Sequence, residues 1–122
     1  MSEKKVIIID DDARNIFALK ATLRAKKYDC ETFSDAAEAL KLLSQSDCDI
    51  ILIDMMMPDL DGYDAIPRIR KIEGKENIPI IAVTAQAMMG DKEKCLAAGA
   101  NDYISKPIDV DKLLSVLNEH IK

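Results

Sequence analysis

No apolar stretch in this 122-residue sequence approaches the ~20 residues a membrane span requires, and MSEKKV at the start has no signal-peptide core behind it. Basic residues are also in deficit. Lys and Arg number 17 against 22 Asp and Glu, a net charge of −5 that argues against non-specific binding to nucleic acid phosphates or anionic membrane. Cysteine is scarce and odd in number: Cys30, Cys48 and Cys95 lack CxxC or zinc-ligand spacing, which predicts reduced thiols and a cytoplasmic setting. The one histidine, His120, reads as a solvated residue at a helix end. There is no internal repeat, low-complexity segment or linker. The length suits one domain, spanning residues 1–122, with a single sizeable core.

What the sequence does have is alternation. Apolar runs at Val6–Ile9, Ile50–Ile53 and Ile80–Val83 are mostly β-branched and continuous, as strands buried on both faces are. Cys30–Phe33 and Asp102–Ser105 are shorter or more polar, as edge strands are. Amphipathic stretches lie between them. The first covers roughly 13–27, with Ile16, Leu19 and Leu23 inward. The second covers about 35–45, where Asp35 and Glu38 have capping-box spacing. The last covers about 109–121, behind a cap at Asp109, with Val110, Leu113, Leu114, Leu117 and Ile121 on one face. Gly74 and Gly99 mark the ends of the third and fourth helices. Pro67 falls inside the third, where it predicts a kink or a late start. Five strand–helix alternations imply an α/β fold: a doubly wound, flavodoxin-like, five-stranded parallel sheet of order 2-1-3-4-5 with helices on both faces.

In that order strands 1 and 3 are neighbours, and both end in acid: VIIIDDD closes on Asp10, Asp11 and Asp12, and IILID on Asp54. Adjacent carboxylates repel unless a cation compensates, and an all-oxygen set of carboxylates, carbonyl and water suits Mg²⁺. Thr84 ends the fourth strand and Lys106 follows the fifth, on the same rim. A hydroxyl and a lysine flanking a carboxylate and a metal make a phosphoryl site, with Asp54 placed to attack phosphorus. Taken singly, each of these residues has an ordinary explanation as a cap, strand or surface residue; their convergence on one rim does not. Asp12 reads as the N-cap of the first helix, and Asp59, Asp61 and Asp64 as loop and cap residues.

VIIIDDDARN, IILIDMMMPDLDG, IIAVTAQAM and GANDYISKPID, in this order and spacing, resemble the receiver domains of two-component response regulators across essentially the whole chain. The resemblance implies phosphorylation of Asp54 by a phosphohistidine on a sensor histidine kinase or histidine phosphotransfer protein. It implies Mg²⁺ held directly by Asp11 and Asp54, through water by Asp10, and by the Met56 backbone carbonyl. Thr84 would then be the hydroxyl that moves toward the phosphoryl group, Lys106 its ion-pair partner and Tyr103 the aromatic that turns with it. The Lys106–Pro107 bond would be cis. Met56 and Gln86, two residues past Asp54 and Thr84, would set the lifetime of the phosphoryl group by shielding it or orienting water. Output would pass to a downstream protein through helix 4, strand 5 and helix 5, without direct nucleic acid or membrane contact. The chain would be free-standing, or a receiver cut from a hybrid kinase.

The competing enzyme reading is an aspartyl-phosphate hydrolase of the haloacid dehalogenase type. Its D-x-D-x-[TV] pattern would start at Asp10 but meets Arg14 in the fifth place, and there is no room for a cap domain. A flavodoxin would need a Ser/Thr/Gly-rich phosphate loop after the first strand, where this sequence has acids.

Overall fold

A computed structural model describes residues 4–85 and 90–121. The elements run β1 (Lys5–Ile9), α1 (Ala13–Ala25), β2 (Asp29–Phe33), α2 (Ala36–Leu43), β3 (Ile50–Asp54), α3 (Gly62–Arg70), β4 (Ile80–Thr84), α4 (Asp91–Ala98), β5 (Asp102–Ser105) and α5 (Val110–His120). All strand pairs are parallel, in the order β2-β1-β3-β4-β5, as the alternation predicts. Among the described residues no helix is long and apolar enough to cross a membrane.

Side chains two apart on a strand share a face, so each central strand feeds two cores. Ile7, Ile9, Ile51, Ile53, Ile80 and Ala82 pack against α2, α3 and α4. Val6, Ile8, Ile50, Leu52, Ile81 and Val83 face the other way, onto Leu19 and Leu23 of α1 and Leu113, Val116 and Leu117 of α5. Aspartates open four of the helices: Asp12, Asp35, Asp61 and Asp109 each accept hydrogen bonds from first-turn N–H groups. Helix α4 is the exception. Its N-cap is Gly90, without a side-chain cap, and its buried residues are Asp91 and Cys95.

Several expectations need correction. Helix α3 does not start late: it runs from Gly62 through Pro67 to Arg70. Pro67 is exposed, while Ala65, Ile66 and Ile69 are fully buried beside it. Two isoleucines at ~1.5–3 kcal/mol each offset the ~3 kcal/mol that an interior proline costs. Gly74 does not end this helix, which caps at Lys71; it takes a left-handed φ of 89° in a later turn. Gly99, with φ 117°, does cap α4. On α5, Val110 is exposed and Val116 takes the inward position instead, because the helix turns its first residue to solvent. His120 is not simply solvated: its Nε2 lies 3.1 Å from Asp102 Oδ2.

Arg70, at the end of α3, binds across to the α4–β5 turn. It donates to the Gly99 carbonyl at 2.8 Å, to Asn101 Oδ1 at 2.7 Å and to the Ile78 carbonyl. Asn101 Oδ1 in turn accepts from the Ile80 N–H at 2.8 Å.

Candidate functional site

Parallel pairing brings the carboxyl ends of β1, β3, β4 and β5 to one edge of the sheet. Asp10 follows β1 and is buried, its N–H bonded to the Phe33 carbonyl at 3.0 Å. Asp54 is the last residue of β3 and Thr84 the last of β4, and both are buried. Thr84 pairs with Ser105, so Lys106 emerges immediately beyond; its N–H bonds the Thr84 carbonyl at 2.7 Å. The Lys106–Pro107 peptide is cis.

These positions converge. Lys106 Nζ lies 3.4 Å from Asp54 Oδ2 and 3.6 Å from Asp10 Oδ2. The other Asp54 oxygen, Oδ1, accepts the Met56 N–H at 3.0 Å. Asp10 Oδ1 accepts the Asp12 N–H at 2.9 Å, and its Oδ2 takes the Asn15 side-chain amide. Asp11 is exposed at the mouth, yet one oxygen each of Asp10, Asp11 and Asp54 lie within 4.8 Å of one another.

The electrostatics follow from this crowding. Burial raises the Asp54 carboxyl above the usual range; the Met56 N–H pulls it down, Asp10 pushes it up and Lys106 lowers it, with a net rise. Burial alone would lower Lys106, but Asp10 and Asp54 outweigh it and hold the ammonium protonated. Three carboxylates against one lysine leave an uncompensated negative charge. Hard oxygen donors at this spacing, within reach of an octahedral ion whose opposite ligands stand ~4.2 Å apart, fit Mg²⁺.

The remaining expected residues fall as follows. Met56 is 53% exposed between buried Met55 and Met57, so its side chain stands free at the rim. Tyr103 is half-buried on β5, two residues before Ser105 and on the same face, with Lys112 Nζ 6.0 Å from its ring centre. Gln86 lies outside the described residues. One contributor is absent from the sequence reading. Asn15, three residues past the Asp12 cap, points its amide back at Asp10 and helps orient that carboxylate. The signal for it was a polar residue in the first turn of a helix that opens on the acidic loop.

Comparison with known proteins agrees with this geometry. The family model described as the response regulator receiver domain matches residues 6–118. Hybrid signal transduction histidine kinase I of Dictyostelium discoideum is 41% identical over 99% of the chain, and the Escherichia coli histidine kinase BarA is 38% identical over 92%. The chain spans only 7% and 12% of the length of those two relatives. Among solved structures, the receiver domain of sensor histidine kinase PA1611 from Pseudomonas aeruginosa superposes with TM-score 0.89 at 36% identity, covering 97% of each chain. That structure has a magnesium ion in its active site cleft. Chemotaxis protein CheY4 of Vibrio cholerae matches with TM-score 0.92 at 27% identity, over 98% of this chain and 99% of its own. The receiver domain of Ssk1, co-crystallised with the histidine phosphotransfer protein Ypd1 of Saccharomyces cerevisiae, matches with TM-score 0.88 at 27% identity, over 98% of this chain and 89% of its own. This chain belongs to the response regulator receiver domain family of two-component signalling, homologous to the receivers of hybrid kinases.

Proposed function

We propose that residues 1–122 act as one phosphoacceptor receiver domain in the cytoplasm, with Asp54 taking a phosphoryl group from a phosphohistidine. The donor is a sensor histidine kinase or a histidine phosphotransfer protein, the latter being the kind of partner co-crystallised with the similar Ssk1 receiver. The observation that carries this reading is the setting of Asp54: buried, with one oxygen held by the Met56 N–H and the other 3.4 Å from Lys106, beside Asp10 and Asp11.

In the transfer, an Asp54 oxygen lone pair forms the new O–P bond while the P–N bond to the donor imidazole breaks. The bonding pair returns to the imidazole nitrogen, which takes up a proton. Lys106 is placed to pair with the arriving phosphoryl oxygens, and the Met56 N–H holds the attacking carboxylate in one orientation. Asp11, Asp54 and the Met56 carbonyl would hold Mg²⁺, with Asp10 contributing through water. Bound there, the ion supplies positive charge opposite the phosphoryl oxygens. The bonds from Asp12, Asn15 and Lys106 to Asp10 favour that indirect role, since they already occupy its oxygens.

The new negative charge draws the Thr84 hydroxyl inward and lets the Tyr103 ring turn, shifting the α4–β5–α5 face that a downstream protein reads. Met56 shields the phosphoryl group from water and Gln86 offers an amide to orient one; together they set how long the signal lasts. No direct nucleic acid or membrane contact is part of this reading, and it holds equally for a free-standing chain or a unit of a hybrid kinase. The test is incubation with a small-molecule phosphodonor and Mg²⁺, followed by intact-mass analysis. One hydroxylamine-labile phosphoryl group is expected in the wild type and none in Asp54→Asn; undiminished labelling of that variant would refute the assignment.

A further inference from the structure

At the opposite edge of the sheet from the acidic site lies a second convergence of ligating side chains. Asp102 opens β5, and Glu119 and His120 occupy the last turn of α5. One donor atom from each lies within 4.8 Å of the others. The chemistry differs from that of the first site. Here an imidazole joins two carboxylates, a borderline nitrogen–oxygen set that suits Zn²⁺ better than Mg²⁺.

From these donors we infer that Asp102, Glu119 and His120 form a zinc site that leaves coordination positions open to solvent. Three observations carry it. His120 Nε2 stands 3.1 Å from Asp102 Oδ2, close to the ~3.3 Å separating two ligands on one tetrahedral zinc ion. Asp102 is pre-aimed: its other oxygen, Oδ1, accepts the Tyr103 N–H at 2.8 Å, which leaves Oδ2 for the imidazole. Beside the cluster is an open cavity of about 530 Å³, lined by Glu119 and His120 with Asp49, Asn77 and Pro79. It gives an ion a route in and room for water ligands. Glu119 is exposed and adjusts its rotamer at little cost. The carbonyl end of α5 adds partial negative charge at the same place.

The thiols compete poorly. Cys30 and Cys95 are buried, and burial pushes half-buried Cys48 up to about 11, so it stays protonated at neutral pH. An ion at Asp102, Glu119 and His120 would join the start of β5 to the end of α5. The inference does not depend on phosphorylation of Asp54.

His120 is the only histidine in the sequence, so its ring is an unambiguous reporter. The full ¹⁵N-labelled chain is titrated with zinc chloride under saturating Mg²⁺, following the ring nitrogens by NMR and binding by calorimetry. One saturable equivalent should move the Nε2 resonance. His120→Gln, Asp102→Asn and Glu119→Gln should each weaken that equivalent by at least about tenfold, whereas Asp11→Asn should leave it unchanged. Melting curves check that each variant folds. Should Asp102→Asn fail to fold, the exposed Glu119→Gln and the wild-type ring signals decide the matter. Ring resonances unmoved by excess zinc, or zinc affinity unchanged in His120→Gln, would overturn the inference and leave an Asp–His hydrogen bond only.

Discussion

Asp54 is the residue where the chemistry of the site and the stability of the fold conflict. Its carboxyl is raised because it is buried and faces Asp10. A carboxyl raised in the folded chain favours folding in its protonated form; that stability is complete below the unfolded pKa and is lost as pH rises through the folded one. At neutral pH the ionised group therefore opposes folding, and an uncharged isostere relieves the opposition. In metal-free buffer at pH 7, Asp54→Asn is expected to melt higher than wild type by on the order of a few °C. The gap should close at acid pH, where Asp54 is protonated in both states, and shrink under saturating Mg²⁺, which favours the wild-type carboxylate. Calorimetric melts from pH 3 to 8 check it, and a variant that melts lower at pH 7 would contradict the account. At this scale the sequence was legible for Asp10, Asp11, Asp54, Thr84 and Lys106, because each ends or follows a strand and the strand order alone brings them to one edge. Asn15 was not, because its role depends on which way an amide points from a helix.

Helix α3 begins in close contact with the loop after β3. A Cβ on Gly62 would stand 2.8 Å from the Met55 Cα and 3.1 Å from the Asp54 carbonyl oxygen, backbone atoms that cannot swing aside. Gly62→Ala must therefore push the start of α3 away from the strand carrying Asp54. Such overpacking costs roughly 1–3 kcal/mol. Urea unfolding should show that loss, together with weaker Mg²⁺ binding, since Met56 sits in the displaced loop; unchanged stability would mean that the loop yields freely. That Gly62 is needed was hidden in the sequence, where it reads as one more turn glycine after DLD. Helix positions were easier to read from the aspartate caps and the apolar spacing. Where the late start at Pro67 and the inward place of Val110 failed, the deciding term was burial of neighbours: Ile66 and Ile69 held α3 through the proline, and Val116 took the place given to Val110.

Across the whole molecule the helices are not equally secured. Helices α1, α2, α3 and α5 have aspartate caps and bury leucines, alanines or isoleucines against the sheet. Helix α4 has eight residues, left-handed glycines at both ends and Cys95 as its buried apolar side chain. Its far end is nevertheless tied down, since Arg70 grips the Gly99 carbonyl and Asn101. Local opening should therefore be cheapest here. Native-state hydrogen exchange is expected to show amides of α4 opening on the order of 10–100 times more often than those of α3, which 1.4–2.8 kcal/mol of missing packing would produce. Equal protection of the two helices would remove the idea. With Gly99 anchored, any displacement of α4 would be a swing about that end, with its largest travel near Gly90, on the side from which β4 delivers Thr84. A ligand favouring the swung position then needs only a small differential affinity to repopulate the ensemble. A helix α4 that opens most readily would then act as a lever whose fulcrum is an arginine bonded to carbonyls.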